Sequence, residues 1–373
     1  MRILAIESSC DETAAAVVEA AASGAPPWRL LSNVVASQVE IHRAWGGVVP
    51  ELASRQHLRD ICGVVERALA DAGTDWAQVE AIAVTQGPGL VGSLLVGVAF
   101  AKALGAAHDI EVLPVHHIAG HIESLALEHG ELPTPAVVLV VSGGHTSLYH
   151  VPEPGRYLLV GRTRDDAAGE AYDKVAKMLG LGYPGGPILD RVAATGDPQA
   201  VAFPVPRLTH DAREAGPATH LPAGFERALA RQADFSFSGL KTSVRRHIQR
   251  LTLDGARPLT SGEIADIAAS FQRVVVQTLL DRTFTAAEWF DARAIGIAGG
   301  VAANSALRAE ARQRGEQRGV PVLTPSLALA TDNAAMIAAA GLRAWSRGRR
   351  GARLDFNADA SLPIEPDPGT LSP

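Results

Sequence analysis

The chain has 373 residues, 47% hydrophobic and 20% charged, with a formal net charge of −6 at pH 7. That balance excludes a disordered chain, which would be apolar-poor and highly charged, and it argues against a general polyanion binder while leaving room for a local basic patch. Its length predicts two or three domains at roughly 100–200 residues each, and the two cysteines, Cys10 and Cys62, cannot form a disulfide framework and suit a reducing cytoplasm.

Arg2 to Ile6 reads as a short buried strand, followed by a polar turn and a second strand over Ala14 to Glu19. Val64 to Ala72 has helical periodicity, Val79 to Thr85 reads as a strand, and Ser93 to Ala107 as a small-residue helix after Gly87-Pro88-Gly89. Val112 to Val115 is a strand and His117 to Leu127 a helix. The opening device then recurs about 134 residues on, over Ala136 to Val151, as strand, tight turn and returning strand. Leu158 to Gly161 (strand), Gly169 to Leu179 (helix) and a helix from Gly185 to Ala194 follow. Thr195 to Gln232 reads as a proline-rich surface excursion. Ile264 to Trp289 is a long helix, Ala294 to Ala298 a strand, Val301 to Arg314 a helix, Val320 to Leu323 a strand and Asp332 to Trp345 the last helix. The alternation predicts an α/β protein built from two similar halves.

Several stretches could carry chemistry. The two hairpin turns offer hydroxyls and backbone N–H groups of the kind that cradle phosphate. Ser8, Ser9, Asp11 and Thr13 line one turn; Ser142, Gly143, Gly144 and Thr146 line the other. Facing each other, such loops describe an actin- or hexokinase-type nucleotide site, although each alone is as readily a plain turn. His117 and His121 are spaced i, i+4 and share one helix face, as metal ligands do, or as a pair of surface or capping histidines would. Asp332, before the Ala-rich helix, is the candidate third ligand, and two His with one carboxylate suit iron or another borderline divalent metal. Zinc proteolysis is disfavoured, because Ile118 stands where an H-E-x-x-H site has its Glu.

Asp165, Asp166, Glu170 and Asp173 crowd one helix start, which reads either as a solvated, dipole-favoured terminus or as a set that binds ligand hydroxyls. Asp190 could reach the same ligand. Gly299-Gly300 opens a helix whose Asn304 could bond a ribose or phosphate, or it is simply a tight βα connection. Lys241, Arg245, Arg246 and Arg250 form a basic stripe if helical: a solvated face, or a contact for nucleic-acid phosphates. A second basic cluster, Arg347 to Arg353, is equally ambiguous.

The segments ESSCDET, GGVVPELASRQH, HHIAGH, VSGGHT, DDAAGEAYDKVAKMLGLGYPGGP, FSFSGLKT, GGVAANSALR and TDNAAM occur in this order between residues 7 and 336. Together they resemble the TsaD family of tRNA N(6)-adenosine threonylcarbamoyltransferases, in its bacterial branch. The resemblance implies a duplicated actin-like (ASKHA) fold with a nucleotide and metal cleft between two subdomains, residues 1–116 plus about 325–350 and residues 117–324. An insertion near 195–234 and an Arg-rich tail over 351–373, expected to be poorly ordered, depart from the usual pattern. It implies one divalent metal on His117, His121 and Asp332, iron before zinc. It further implies that Val140, Val141, Ser142, Gly143, Gly144, Asp173, Gly186, Asp190 and Asn304 hold threonylcarbamoyl-AMP.

The implied acceptor is tRNA, the implied partners are TsaB and TsaE, and the implied setting is the cytoplasm. No membrane partner is expected, since no run of about 18 apolar residues escapes polar interruption. An already activated carbamic–phosphoric anhydride explains why no Ser or Cys nucleophile is evident. The general base is left unnamed. The rival readings are an actin-fold small-molecule kinase or ATPase, and a non-catalytic scaffold of the same complex.

Overall fold

Two five-stranded sheets of one topology organise the chain. In the computed structural model, residues 1–206, 233–253, 255–351 and 354–364 are described. Most of the expected excursion, residues 207–232, therefore lies outside the described residues, as does Arg353.

The first unit comprises Met1–Pro133, Glu153–Tyr157 and Pro325–Pro373. Its strands are β1 (Arg2–Glu7), β2 (Glu12–Glu19), β3 (Arg29–Ser37), β4 (Val79–Gly87) and β5 (Glu111–His116), in the order β3-β2-β1-β4-β5. β1 pairs antiparallel with β2 and parallel with β4, which is why it reads as an unbroken apolar run: both its faces are covered. Helices α1 (Val39–Arg43), α2 (Pro50–Asp71), α3 (Val91–His108) and α4 (His117–His129) alternate with the strands.

The second unit comprises Thr134–Pro152 and Leu158–Thr324. It holds β6 (Ala136–Val141), β7 (Thr146–Val151), β8 (Leu158–Arg162), β9 (Ala294–Ala298) and β10 (Val322–Leu323), in the order β10-β9-β6-β7-β8. Here β6 is antiparallel to β7 and parallel to β9, so each strand matches the unit 1 strand five places earlier, in position and direction. The two halves inferred from the repeated hairpin are thus one fold used twice. Around this sheet lie α5 (Ala168–Met178), α6 (Gly185–Ala193), α7 (Ser238–Leu251), α8 (Ser261–Trp289) and α9 (Ser305–Arg318). A 3₁₀ turn over Gly300–Ala303 precedes α9, so that helix starts four residues later than expected. The fully buried Phe235, Phe237, Phe271 and Phe284 fill the core of unit 2.

Two further helices, α10 (Leu327–Ala330) and α11 (Ala334–Ser346), return to unit 1. α11 lies close on the first sheet: a Cβ at Gly341 would sit 2.9 Å from the Cβ of Ala83 and 3.0 Å from Ile3 Cδ1. It also packs on α4 at Gly120, where a Cβ would stand 2.9 Å from Ile337 Cδ1. This packing puts α4 in unit 1, whereas the boundary expected after residue 116 places it in the second half.

The tail also departs from expectation, because residues 354–364 pack on unit 1. Lys102 donates to Phe356 O and lies over its ring, Asp359 N donates to Gln86 O at 2.9 Å, and His116 Nε2 donates to Leu362 O at 3.0 Å. α3 is long and apolar enough to cross a membrane by length and composition, although Ser93 and Lys102 interrupt its apolar run. Its Leu94, Val98 and Ala101 are nonetheless buried, the last two in the core of unit 1.

Candidate functional site

His117 and His121 open α4, and the i, i+4 spacing brings their ring centroids within 4.8 Å at 80°. Asp332 stands immediately before Asn333, whose side chain caps α11 by accepting from Met336 N at 3.0 Å. Since Gly120 lets α4 and α11 approach closely, Asp332 Oδ1 reaches His121 Nε2 at 3.2 Å and His117 Nε2 at 3.6 Å. One ligand atom from each residue falls within a 4.8 Å cluster. His121 is 0% exposed, and neither ring nitrogen has a hydrogen-bond partner among the described residues. Leaving such a ring unsatisfied costs about 1–3 kcal/mol, so this donor set fits a divalent metal.

Glu7, at the end of β1, is the residue that sequence reasoning passed over. It is 0% exposed; Oε2 lies 3.1 Å from His117 Nδ1 and accepts from Thr85 Oγ1 at 2.7 Å, while Oε1 accepts from Ser9 N at 2.5 Å. With Nδ1 turned to the carboxylate, Nε2 is the nitrogen left to ligate, the usual carboxylate–histidine–metal arrangement. Burial works against ionisation of Glu7, but the charge and hydrogen bond of His117, with the Ser9 donor, hold its carboxyl below the ordinary value. Burial likewise opposes a charged His117, yet Asp332 and Glu7 push its pKa up to about 9. A field that draws a proton so strongly also draws a cation.

Glu12 was missed too. Burial first, then the charges of Asp11 and Asp332 and a hydrogen bond with Asp11, raise its carboxyl well above the usual range. The nearby Cys10 thiol is raised in the same way, chiefly by burial, which keeps it unreactive.

The four residues of the first turn have separate surroundings. Ser8 Oγ donates to Ser93 O at 2.9 Å, and Ser9 Oγ lies 3.2 Å from His117 Nδ1. Thr13 Oγ1 pairs with His57 Nδ1 at 2.7 Å, His57 Nε2 meeting Cys10 O at 3.0 Å. Asp11 O accepts from Gln38 N at 3.0 Å. Ser8 and Thr13 are thus engaged in holding the hairpin.

In unit 2 the anticipated residues gather at the C-terminal end of the parallel pair β6 and β9, the usual place for ligands in an open α/β sheet. Val140 and Val141 end β6, and Ser142 turns the chain, with Ser142 N donating to His145 O at 2.8 Å. Gly143 and Gly144 are exposed, and Gly169 N at the start of α5 donates to Ser142 O at 3.2 Å. Gly299, at φ 91°, abuts the same strand end: a Cβ there would lie 2.5 Å from Val141 O. Asn304 caps α9 and donates to Gln272 Oε1 at 2.8 Å and Asp190 Oδ1 at 3.1 Å; Asp190 also accepts from Ser305 N and Oγ. Asp173 accepts from Gly185 N at 2.8 Å, and nothing lies within 4 Å of a Cβ on Gly186. Gln272 joins this network from the middle of α8, without a sequence signal.

The other acids prove structural. Asp165 accepts from Phe237 N at 2.8 Å, Ser238 N at 3.3 Å and both serine hydroxyls, capping α7 from outside. Asp166 pairs with Lys174 at 2.8 Å and Lys241 at 2.5 Å. Of the basic stripe on α7, Lys241 is therefore engaged inward, while Arg245, Arg246 and Arg250 are exposed. In the second basic cluster, Arg350 stacks on Trp345 at 4.3 Å and Arg347 donates to Pro154 O at 2.8 Å.

Comparison with known proteins gives a consistent picture. The family model described as "TsaD: tRNA N6-adenosine threonylcarbamoyltransferase" matches residues 29–339. A Symbiobacterium thermophilum protein of that description is 51% identical over 360 residues, 96% of this chain and 96% of that protein. One from Magnetococcus marinus is 48% identical over 368 residues, covering 98% and 97%. Among solved structures, full-length HypF in its phosphate- and nucleotide-bound form aligns with 93% of this chain and 55% of its own, at TM-score 0.54 and 12% identity. The Acidaminococcus fermentans (R)-2-hydroxyglutaryl-CoA dehydratase component A covers 93% and 98%, at TM-score 0.51 and 14% identity. These two likenesses are of fold alone and agree with a duplicated actin-like architecture.

Proposed function

The chain belongs to the TsaD family of tRNA N6-adenosine threonylcarbamoyltransferases, and from that premise we propose how its two units divide the reaction. The protein is an acyltransferase that modifies tRNA, placing a threonylcarbamoyl group on the N6 amine of an adenosine. The small-molecule kinase and the scaffold find no support in these relatives.

The donor is threonylcarbamoyl-AMP. The exocyclic amine of the adenosine beside the anticodon attacks the carbamoyl carbon, the bond to the phosphate oxygen of AMP breaks, AMP leaves and the amine gives up one proton. Unit 2 binds the nucleotide: at the end of β6, after Val140, Val141 and Ser142, the exposed Gly143 and Gly144 carry no side chain, and their N–H groups can meet developing negative charge. Asp173, Gly186, Asp190 and Asn304 complete that binding set.

Unit 1 contributes His117, His121 and Asp332 as metal ligands, with iron first and zinc second on ligand chemistry. A metal held there would supply a Lewis acid. Glu7 fixes the His117 ring. Glu12, whose carboxyl is raised above the ordinary range by burial and by the charges of Asp11 and Asp332, is when ionised a stronger base than an ordinary carboxylate, and it is the group we assign to take the proton from the amine.

Partner proteins of the TsaB and TsaE type, and a reducing cytoplasm in which Cys10 and Cys62 stay free, complete the reading. The convergence of His117, His121 and Asp332 in a chain that matches the family over nearly its whole length carries it. Purified protein, threonylcarbamoyl-AMP and unmodified tRNA, followed by nucleoside mass spectrometry and elemental analysis, form the test. Modified adenosine and about one bound metal per chain are expected. Metal-free protein with full transfer activity would overturn the metal-centred account.

A further inference from the structure

α7 carries Lys241, Arg245, Arg246 and Arg250 along fourteen residues with no acid among them. Lys241 is neutralised by Asp166, but none of the three arginines has an ion-pair partner among the described residues. Leu240 and Val244 anchor the opposite face of the helix in the core. The cations are therefore held on a fixed surface and do not float on a loop.

Arg246 and Arg250 lie one turn apart, about 6 Å along the axis. They line a groove of about 770 Å³ together with Pro204, Ser238, Thr242 and Gln249. Beside the apolar surface of Pro204 and the side-chain stems, its polar groups are guanidinium, hydroxyl and amide: fork-shaped cations for phosphate oxygens and small polar groups for sugar. A chain with a net charge of −6 repels a polyanion on average, so an acid-free cationic groove is a selective feature of the surface.

We propose that α7 is a phosphate-binding face for the tRNA substrate, with Arg246 and Arg250 on backbone phosphates inside the groove and Arg245 beside it. The inference rests on tRNA being the acceptor, and it removes Lys241 from the stripe. The contacts are to backbone, so they supply affinity and orientation and leave the choice of adenosine to the reaction site.

The test uses the full metal-loaded chain and a fluorescent anticodon stem–loop, titrated across a salt series. Each phosphate contact contributes about 0.7–0.9 to the slope of log K against log salt. R246S/R250S should therefore flatten the slope by about 1.5 and raise KM for tRNA. Its metal content and its kcat at saturating tRNA should stay at wild-type values, and R246K/R250K should restore the slope.

An unchanged slope and affinity in R246S/R250S overturns the inference even when wild-type protein modifies tRNA normally. So does a variant whose only loss is association with a partner protein. Absence of modified adenosine with wild-type protein counts instead against the transferase reading, and the slope still decides the role of α7.

Discussion

A carboxylate oxygen of Glu7 lies 3.1 Å from Nδ1 of His117, and Glu7 is completely removed from solvent. The contact orients the ring and makes Nε2 the more basic nitrogen. Glu7→Gln keeps the shape and removes the charge. Metal affinity, measured by chelator competition, should fall about 10–100-fold while the helix content stays unchanged. Equal affinities would mean that Glu7 only fills space.

His121 tests the ligand set directly. Its Nε2 lies 3.2 Å from Asp332 Oδ1 without hydrogen-bond geometry, an arrangement that suits two ligands of one cation. His121→Ala and Asp332→Ala should each lower bound metal well below one per chain by elemental analysis and abolish the modified nucleoside. Because the ring is buried and unsatisfied, His121→Ala should leave metal-free protein no less stable than wild type in urea.

The repeated hairpin, the paired histidines and the turn at Ser142 were legible because each is local: period, spacing and turn chemistry all lie within a dozen residues. Glu7 was not, because its partner His117 is 110 positions away and a lone acid closing an apolar strand carries no signal. Only Val64 to Ala72 of α2 was anticipated, although the helix begins at Pro50, since Glu51, Arg59 and other exposed residues dilute the pattern in its first half. The edge strand β3 escaped notice because its alternation is broken by Ser32 and Asn33 and by the exposed Leu30 and Val35. By sequence the acids Asp165 and Asp166 suit a helix start or a ligand set. Their actual partners, the start of α7 and Lys241, come about 70 residues later.

Glu12 separates chemistry from metal binding. Glu12→Gln preserves hydrogen bonding but cannot accept a proton. Single-turnover transfer should slow by about 10²–10⁴-fold, typical for loss of a general base, with metal content unchanged. Wild-type rates in this variant would assign the proton to another acceptor, and coincident loss of metal would make Glu12 a structural partner of the centre.

Acid should loosen the start of α7. Burial works to raise the carboxyls of Asp165 and Asp166. For Asp165 the Ser236, Phe237 and Ser238 donors outweigh it, and for Asp166 the two lysines do, so both folded values are depressed below 3.8. A depressed folded pKa adds stability that is complete above the unfolded value and lost as pH falls through the folded one. Stability should therefore decline below about pH 4 through these two groups. Asp165→Ala should cost about 1 kcal/mol at pH 7, as a lost helix cap does, since exposure screens the rest. The penalty should shrink in urea titrations near pH 3.

The ligand-bearing helices are also tied together at their far ends. Arg343 on α11 donates from Nε to Glu123 on α4 at 3.0 Å and grips Glu131 at 2.6 and 3.1 Å, while Tyr157 donates to Glu123 at 2.5 Å. Side-chain exposure is 8% for Arg343 and 4% for Glu123. Burial raises the Glu123 carboxyl, and Arg343 is the main force holding it down. Arg343→Ala therefore strands a buried carboxylate, which should cost about 3–5 kcal/mol in urea at pH 7. Adding Glu123→Gln removes the stranded charge, so the double variant should regain a large part of that loss. If both single variants and the double variant lost equal stability, the pair would be ordinary packing. Because α4 carries the histidines and α11 follows Asp332, saturating metal should raise wild type and Arg343→Ala alike through binding to the folded form, and the gap should stay constant if the tie leaves metal affinity untouched or widen if it helps to hold the ligands.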